Sequence, residues 1–235
     1  MQVLSDTPSL EAPPATAVTA RPRRGLRMTV RLGLAGLTGF LVLGNLGIAG
    51  VSVWARSTTV APPGPAVAGV GNFRAVDGHL WRGAAPSERG YESLAAAGVQ
   101  IVIDLRAEEN LDVDEARLGA LGLTRVAIPL RDGQIPTPAE IDRFLIAVGA
   151  SNGPAFVHCG AGVGRTGAMV GAYLVATGQA DEWTALRGNL AVGPPSLEQV
   201  AFVAGLDDGA RPGRVLVAAS RLLDAPRRIW SRLRA

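Results

Sequence analysis

"VHCGAGVGRTG" (157–167) holds the only cysteine of the chain, Cys159, together with four glycines and one arginine, Arg165. An apolar run, "PAFVHC" (154–159), leads into it, and an apolar run with helical patterning, "TGAMVGAYLVATG" (166–178), leads out. A buried strand that passes through a glycine-rich loop into a buried helix belongs to an α/β fold. In such folds that loop lies at the carboxyl edge of the sheet, where ligands bind. Gly160, Gly162 and Gly164 let the backbone curl so that successive N–H groups point inward, and Ala161 and Val163 complete the curl. Such a nest at a helix N-terminus binds anions. Arg165 adds a planar, permanently charged fork suited to phosphate oxygens. The same field favours a thiolate at Cys159. A phosphate ester in the nest would place phosphorus within reach of the sulfur, which suits nucleophilic catalysis through a cysteinyl-phosphate.

The flanking sequence alternates between the two kinds of element. "HLWRG" (79–83), "VQIVIDL" (99–105) and "TRVAIPL" (124–130) read as strands. Ser87 can cap a helix over 88–97 that Gly98 stops, and a second helix is expected over 113–121, ended by Gly122. Thr137-Pro138-Ala139-Glu140 is a capping box with proline at the first helical position. Further helices are expected near 181–189 and 197–206. Strands alternating with helices predict a central, mostly parallel sheet flanked by helices.

Both ends differ from this middle. Residues 61–210 carry 10 arginines against 17 acids, whereas 1–60 carry six against two and 211–235 seven against one. All 23 basic residues are arginine. An acidic domain between basic ends argues against a nucleic-acid partner and suits a membrane surface better. Residues 1–31 read as a disordered, basic segment. Residues 32–55 are 24 positions without formal charge, which as a helix would span roughly 36 Å, enough to cross a membrane. The arginines before this span predict a cytoplasmic N-terminus and a domain outside the cytoplasm. Secretion after cleavage near Val53-Trp54-Ala55 is the competing reading. Residues 56–70 read as a linker, 71–210 as the globular domain, and 211–235 as a basic amphipathic tail broken by Pro226. That tail could lie on anionic lipid or cover the domain. One cysteine and two histidines exclude an internal disulfide and leave no metal site, and no organic cofactor is implied. Nothing in the sequence sets an oligomeric state.

The run from His158 to Gly167, His-Cys-x-x-Gly-x-Gly-Arg-Thr-Gly, resembles the signature loop of the cysteine-dependent protein tyrosine phosphatases. "NFRAVDGHLWRGAAPS" (72–87) and "VIDLRAEEN" (102–110) resemble the entry strand and second-strand motif of the dual-specificity branch. The resemblance covers roughly residues 70–206 and implies the fold of that superfamily, preceded here by a transmembrane helix. It implies Cys159 as nucleophile, Arg165 as the phosphoryl clamp and Thr166 as a hydrogen-bond donor to the departing sulfur. His158 would hold the loop and help favour the thiolate. The acid that protonates the leaving oxygen comes, in that family, from a separate loop after a strand, and Asp132 in "IPLRDGQIPTPAEI" (128–141) has that position. Asp104 and Glu108 are other acids near in sequence order, with Asp104 better suited to orienting loops and Arg106 to an ion pair. Gln199 could position the water of the second step, or be one polar residue on a helix. His79 reads as a surface or packing residue, and Trp81 and Phe73 as core.

The resemblance thus implies a membrane-anchored phosphatase acting on phosphotyrosine or phosphoserine/threonine in proteins, or on small phosphomonoesters. Gly160, Ala161 and Val163 lack the basic side chains that lipid- and inositol-phosphate enzymes often place there, so that alternative is weaker. A catalytically silent phosphate-binding module and a sulfur transferase are the other classes. The latter gives Asp132 no task.

Overall fold

The computed structural model describes residues 24–59, 67–107 and 114–232. The chain divides into two compact units, Met1–Gly39 and Phe40–Ala235, and everything that positions the site is in the second. In chain order the elements are α1 (Arg24–Thr58), β1 (Arg74–Ala75), β2 (Leu80–Ala84), α2 (Glu88–Ala96), β3 (Ile101–Arg106), α3 (Glu115–Ala120) and β4 (Thr124–Leu130). They continue with α4 (Pro138–Gly149), β5 (Ala155–Cys159), α5 (Gly164–Ala176), α6 (Glu182–Leu190), α7 (Leu197–Val203) and α8 (Arg214–Arg232). The sheet order is β1-β2-β5-β3-β4. The pairs β2·β5, β5·β3 and β3·β4 are parallel and the short edge pair β1·β2 is antiparallel, so the expected mostly parallel sheet is found.

Alternation along the strands builds two layers. Ile103, Leu105, Ile128, Leu130, Val157 and Cys159 face α4 and α5, where they meet Phe144, Val148, Met169 and Tyr173. Val102 and Phe156 face the other way, onto Leu94 of α2 and Leu118 of α3. Helices α5, α6 and α7 pack on one another through Ala168, Ala172, Leu186, Leu190, Phe202 and Val203, and Ala55 of α1 joins this cluster. The local signals act as the sequence predicts. Ser87 caps α2, and Thr137 and Glu140 close both arms of the capping box of α4 with Pro138 in its first turn. The helices α2 and α3 end ahead of Gly98 and Gly122, both at positive φ.

Several expectations need correction. The predicted helix over 113–121 is the six-residue α3, because Asp114 takes the cap position. Helix α1 starts at Arg24 and ends at Thr58, so it takes in part of the basic segment and the start of the linker. Residues 1–23, 60–66, 108–113 (with Glu108) and 233–235 lie outside the described residues. Helix α8 runs through Pro226 rather than breaking there. Ser220, Leu223 and Asp224 in the turns before it are buried, and Ser220 Oγ accepts from the Glu198 N–H of α7 at 3.0 Å. That packing outweighs the one N–H that proline lacks. The first half of the tail therefore covers the domain.

One helix among the described residues, Met28–Thr58, is long and apolar enough to cross a membrane, with a mean hydropathy of 1.8 in its most apolar window. Its last turns also belong to the domain. Ala55 is buried, and Arg56 donates to the carbonyls of Ala191 at 3.2 Å and Val192 at 3.1 Å.

Candidate active site

Strand β5 ends at Cys159 and α5 begins at Gly164, so residues 160–163 form the loop between them. Each carbonyl of that loop is tied back by a donor behind it. The Ala85 N–H donates to Gly160 O at 3.1 Å and Asn72 Nδ2 to Ala161 O at 2.9 Å. Arg82 Nη2 donates to Gly162 O at 2.8 Å and to Val163 O at 3.4 Å. In a trans peptide the N–H opposes the C=O across one plane. Four carbonyls held outward therefore turn the N–H groups of Ala161, Gly162, Val163 and Gly164 the opposite way, into one concavity at the start of a helix. A concavity of that form is suited to an anion. Gly162 has φ +71, and a Cβ there would run into the backbone of Gly83 and Ala84, so only glycine lets the loop lie this close to β2.

Cys159 is buried and is a free thiol. Arg165 is 4% exposed. Its Nη1 donates to Leu130 O at 3.0 Å, and its Nε lies 3.6 Å from Asp132 Oδ1. Asp132 follows the end of β4, and its side chain is 58% exposed. The fold thus brings the candidate acid and the candidate clamp together across 33 residues of sequence. Thr166 is fully buried in the first turn of α5, and its hydroxyl has no hydrogen-bond partner among the described residues. A buried hydroxyl left open in this way is costly unless a ligand or reaction state supplies its partner.

On the opposite face of β5, His158 is fully buried. Its Nδ1 lies 3.3 Å from Cys159 O and 3.9 Å from Asp104 Oδ1. Burial drives its pKa down to about 4 against the pull of Asp104, so the imidazole is neutral at pH 7. Any help it gives the thiolate comes through placement of the loop and not through charge. Asp104 is pushed up by burial, but Arg106 and His158 outweigh this and hold it at about 2. Arg106 contacts both of its oxygens at 2.9 Å, and Arg125 adds two hydrogen bonds at 3.0 and 3.1 Å. The ion pair expected of Arg106 is present with Asp104, which binds two arginines of β3 and β4 rather than a loop.

The segment bearing Asp132 is supported from three sides. Ser196 Oγ donates to Gly133 O at 2.9 Å, Gln199 Nε2 to Gln134 O at 3.1 Å, and Arg211 to Pro136 O at 3.0 Å. Gln199 is buried, completes the capping box of α7 through Ser196, and lies so close to Gly164 that a Cβ there would collide with its amide. It therefore couples the nest to the acid-bearing loop. His79 is exposed, while Phe73 and Trp81 pack edge to face at 5.5 Å, half-buried against the core. Sequence reasoning missed Arg82, Asn189, Asn72 and Arg125. The only sequence signal for Arg82 was a charge set inside an apolar strand.

Comparison with known proteins agrees with this geometry. The family model described as "DSP-PTPase phosphatase fused to NAD+ Kinase" matches residues 71–205. Tyrosine-protein phosphatase cdcA of Emericella nidulans is 30% identical over 94 residues, 38% of this chain but 15% of that protein. The chain therefore spans only a small part of that relative. The core catalytic domain of the PP-IP phosphatase SIW14 from S. cerevisiae superposes with a TM-score of 0.53 at 20% identity, covering 61% of this chain and 90% of that one. The P. aeruginosa protein TpbA, solved in complex with pTyr, gives 0.51 at 22% identity over 72% of this chain and 98% of that one. At these identities the structural likeness is one of fold. Because the family model covers more than half of the chain, including the whole nest, the protein belongs to this DSP-PTPase phosphatase family, within the cysteine-dependent protein tyrosine phosphatase superfamily.

Proposed function

We propose that this chain hydrolyses phosphate monoesters through a cysteinyl-phosphate on Cys159. The observation that carries the reading is the nest of four inward N–H groups around the only thiol, with Asp132 brought to 3.6 Å from Arg165. The phosphoryl group sits in the nest, with Arg165 clamping its oxygens and stabilising the charge of the transition state. The Cys159 thiolate attacks phosphorus and forms a P–S bond as the ester P–O bond breaks. The carboxyl group of Asp132 gives its proton to the leaving oxygen. Water then attacks phosphorus, its proton passes to the Asp132 carboxylate, and the P–S bond breaks. The Thr166 hydroxyl, which has no other partner among the described residues, donates to the returning thiolate. Inorganic phosphate leaves and the starting state is restored.

Protein phosphotyrosine, or phosphoserine/threonine, is the substrate class we favour. The relative at 30% identity bears the name of a tyrosine-protein phosphatase. Gly160, Ala161 and Val163 offer no positive side chain for a second phosphate, which counts against inositol and lipid phosphates. An uncleaved anchor in α1 is the reading we favour, and the burial of Ala55 against α5, α6 and α7 supports it. The basic flank before the span supports a domain outside the cytoplasm. A C-terminal reporter that signals from the cytoplasm would reverse that orientation.

The test is phosphate release from p-nitrophenyl phosphate and a phosphotyrosine peptide by the full chain in detergent, beside Cys159→Ser. Turnover lost in the serine variant is expected. A folded, reduced wild type without turnover would sink the proposal in favour of a phosphate-binding module.

A further inference from the structure

Arg82 stands in the middle of β2, with Val157 opposite it on β5, and Ala84 two residues on lies opposite Cys159. Its side chain is 4% exposed, as deep as that of Arg165. All its contacts are to neutral groups. One guanidinium nitrogen serves Gly162 O at 2.8 Å, Val163 O at 3.4 Å and Asn189 Oδ1 at 3.2 Å, and Nε has no acceptor. Among the described residues no carboxylate pairs with it. Burial lowers its pKa only to about 10, so it is a cation at neutral pH, and the titratable groups that face it are Cys159 and Arg74.

A buried cation without a counter-charge is an expensive way to satisfy two carbonyls, because a neutral amide could serve them without the desolvation of an ion. The cost is offset where an anion stands nearby. The nest lies directly beyond the two carbonyls that Arg82 holds, and that is where a thiolate or a phosphoryl group would be.

We propose that Arg82 is a positioning residue of the site, a standing counter-charge behind the nest that also turns the N–H groups of Val163 and Gly164 toward the phosphate. The proposal rests on the phosphatase reading above. It assigns two separable tasks to one side chain. The charge favours the anionic sulfur, and the fork fixes the shape of the loop.

Cys159 is the only cysteine in the chain, so alkylation of the full-length protein in detergent by neutral iodoacetamide reports on it alone, without need of turnover. The rate is followed from pH 5 to 9 for wild type, Arg82→Gln and Arg82→Lys, and orthovanadate affinity is measured for each. In Arg82→Gln the alkylation profile should move to higher pH, lowering the rate at pH 6 by about tenfold for each unit moved, and vanadate should bind at least several-fold more weakly. In Arg82→Lys the charge remains and the fork is lost, so the alkylation profile should stay near that of wild type while vanadate affinity falls. A folded Arg82→Gln variant with the wild-type profile would overturn the proposal. If Arg82→Gln does not fold, a profile of Arg82→Lys displaced upward despite its retained charge would overturn it equally. Failure of the phosphatase reading looks different, because the wild type itself would then neither bind vanadate nor turn over substrate.

Discussion

Two aspartates lie at or just beyond the carboxyl ends of the neighbouring parallel strands β3 and β4, and the fold treats them in opposite ways. Asp104 is 0% exposed, held by Arg106 and Arg125 and close to His158, and its pKa is held at about 2. It stays an anion at any pH where the protein works, so it has no proton to give. Asp132 is largely exposed, on a loop beyond its strand, and its Oδ1 lies 3.6 Å from Nε of Arg165, the residue proposed above to hold the substrate's phosphate. A general acid must be reachable and must cycle through both protonation states. Of two carboxylates at the same edge of one sheet, the first is locked in ion pairs and the second is open to solvent, as the acid proposed above must be.

The largest expected effect tests that division directly. Asp132→Asn should lower kcat by about 10²- to 10⁴-fold, the usual worth of a positioned acid, with KM unchanged or smaller because the carboxylate no longer competes with phosphate for Arg165. Steady-state kinetics with a phosphotyrosine peptide decide it. An Asp132→Asn enzyme with nearly full kcat would assign the proton to another group.

Asp104→Asn should act on folding instead. It leaves two partly buried guanidinium groups without their shared carboxylate, a loss of about 3 kcal/mol by analogy with other broken buried pairs. Chemical denaturation measures this, and the folded fraction should keep a kcat within a few-fold of wild type. A stable Asp104→Asn protein that is catalytically dead would break the comparison, since the buried carboxylate would then be part of the chemistry.

The pH dependence of stability sharpens the same point through His158. The unfolded imidazole takes up a proton near pH 6.5 and the buried one only near pH 4. Stability is therefore full above about 6.5 and falls as pH drops toward 4, by about 2 kcal/mol between pH 7 and pH 5. Asp104 adds to the loss lower down, between its unfolded value of 3.8 and about 2. Urea titrations at pH 7 and pH 5 should show the fall in wild type and its absence in a folded His158→Asn variant. Equal wild-type stability at both values would mean that His158 is not buried in its neutral form.

What was legible in the sequence follows from the range of the interactions. The nest, the caps at Ser87 and Thr137 and the stops at Gly98 and Gly122 are set within a few residues, so the local pattern reveals them. Asp132 could be singled out as a candidate because it sits between a clear strand and a clear capping box. The distant partners of Asp104 and Gly162 were not legible. Arg125 lies 21 residues from Asp104, and Arg82 lies 80 residues from Gly162. They meet only through the order β2-β5-β3-β4 and its register, and neither is written in any single stretch. The path of α8 through Pro226 escaped for the same reason. A local breaker lost to contacts with α7, which arrives from earlier in the chain.

The smallest effect concerns how Asp132 is kept in place. Ser196 Oγ holds Gly133 O at 2.9 Å and also caps α7 by accepting from the Gln199 N–H at 3.2 Å. Ser196→Ala removes both bonds. Loss of the cap should reduce stability by about 1 kcal/mol, and loss of the tether should lower kcat a few-fold by letting the acid drift. A small fall in kcat alone has many causes, so the informative measurement is the double variant. If Ser196 acts by placing the Asp132 carboxyl, its substitution should no longer change kcat once Asp132 is asparagine, while the loss of stability stays the same. An undiminished fall in kcat in that background would mean that Ser196 reaches the reaction by another route. The candidate is Gln199, which packs on Gly164 at the nest itself and loses its cap partner in the same change.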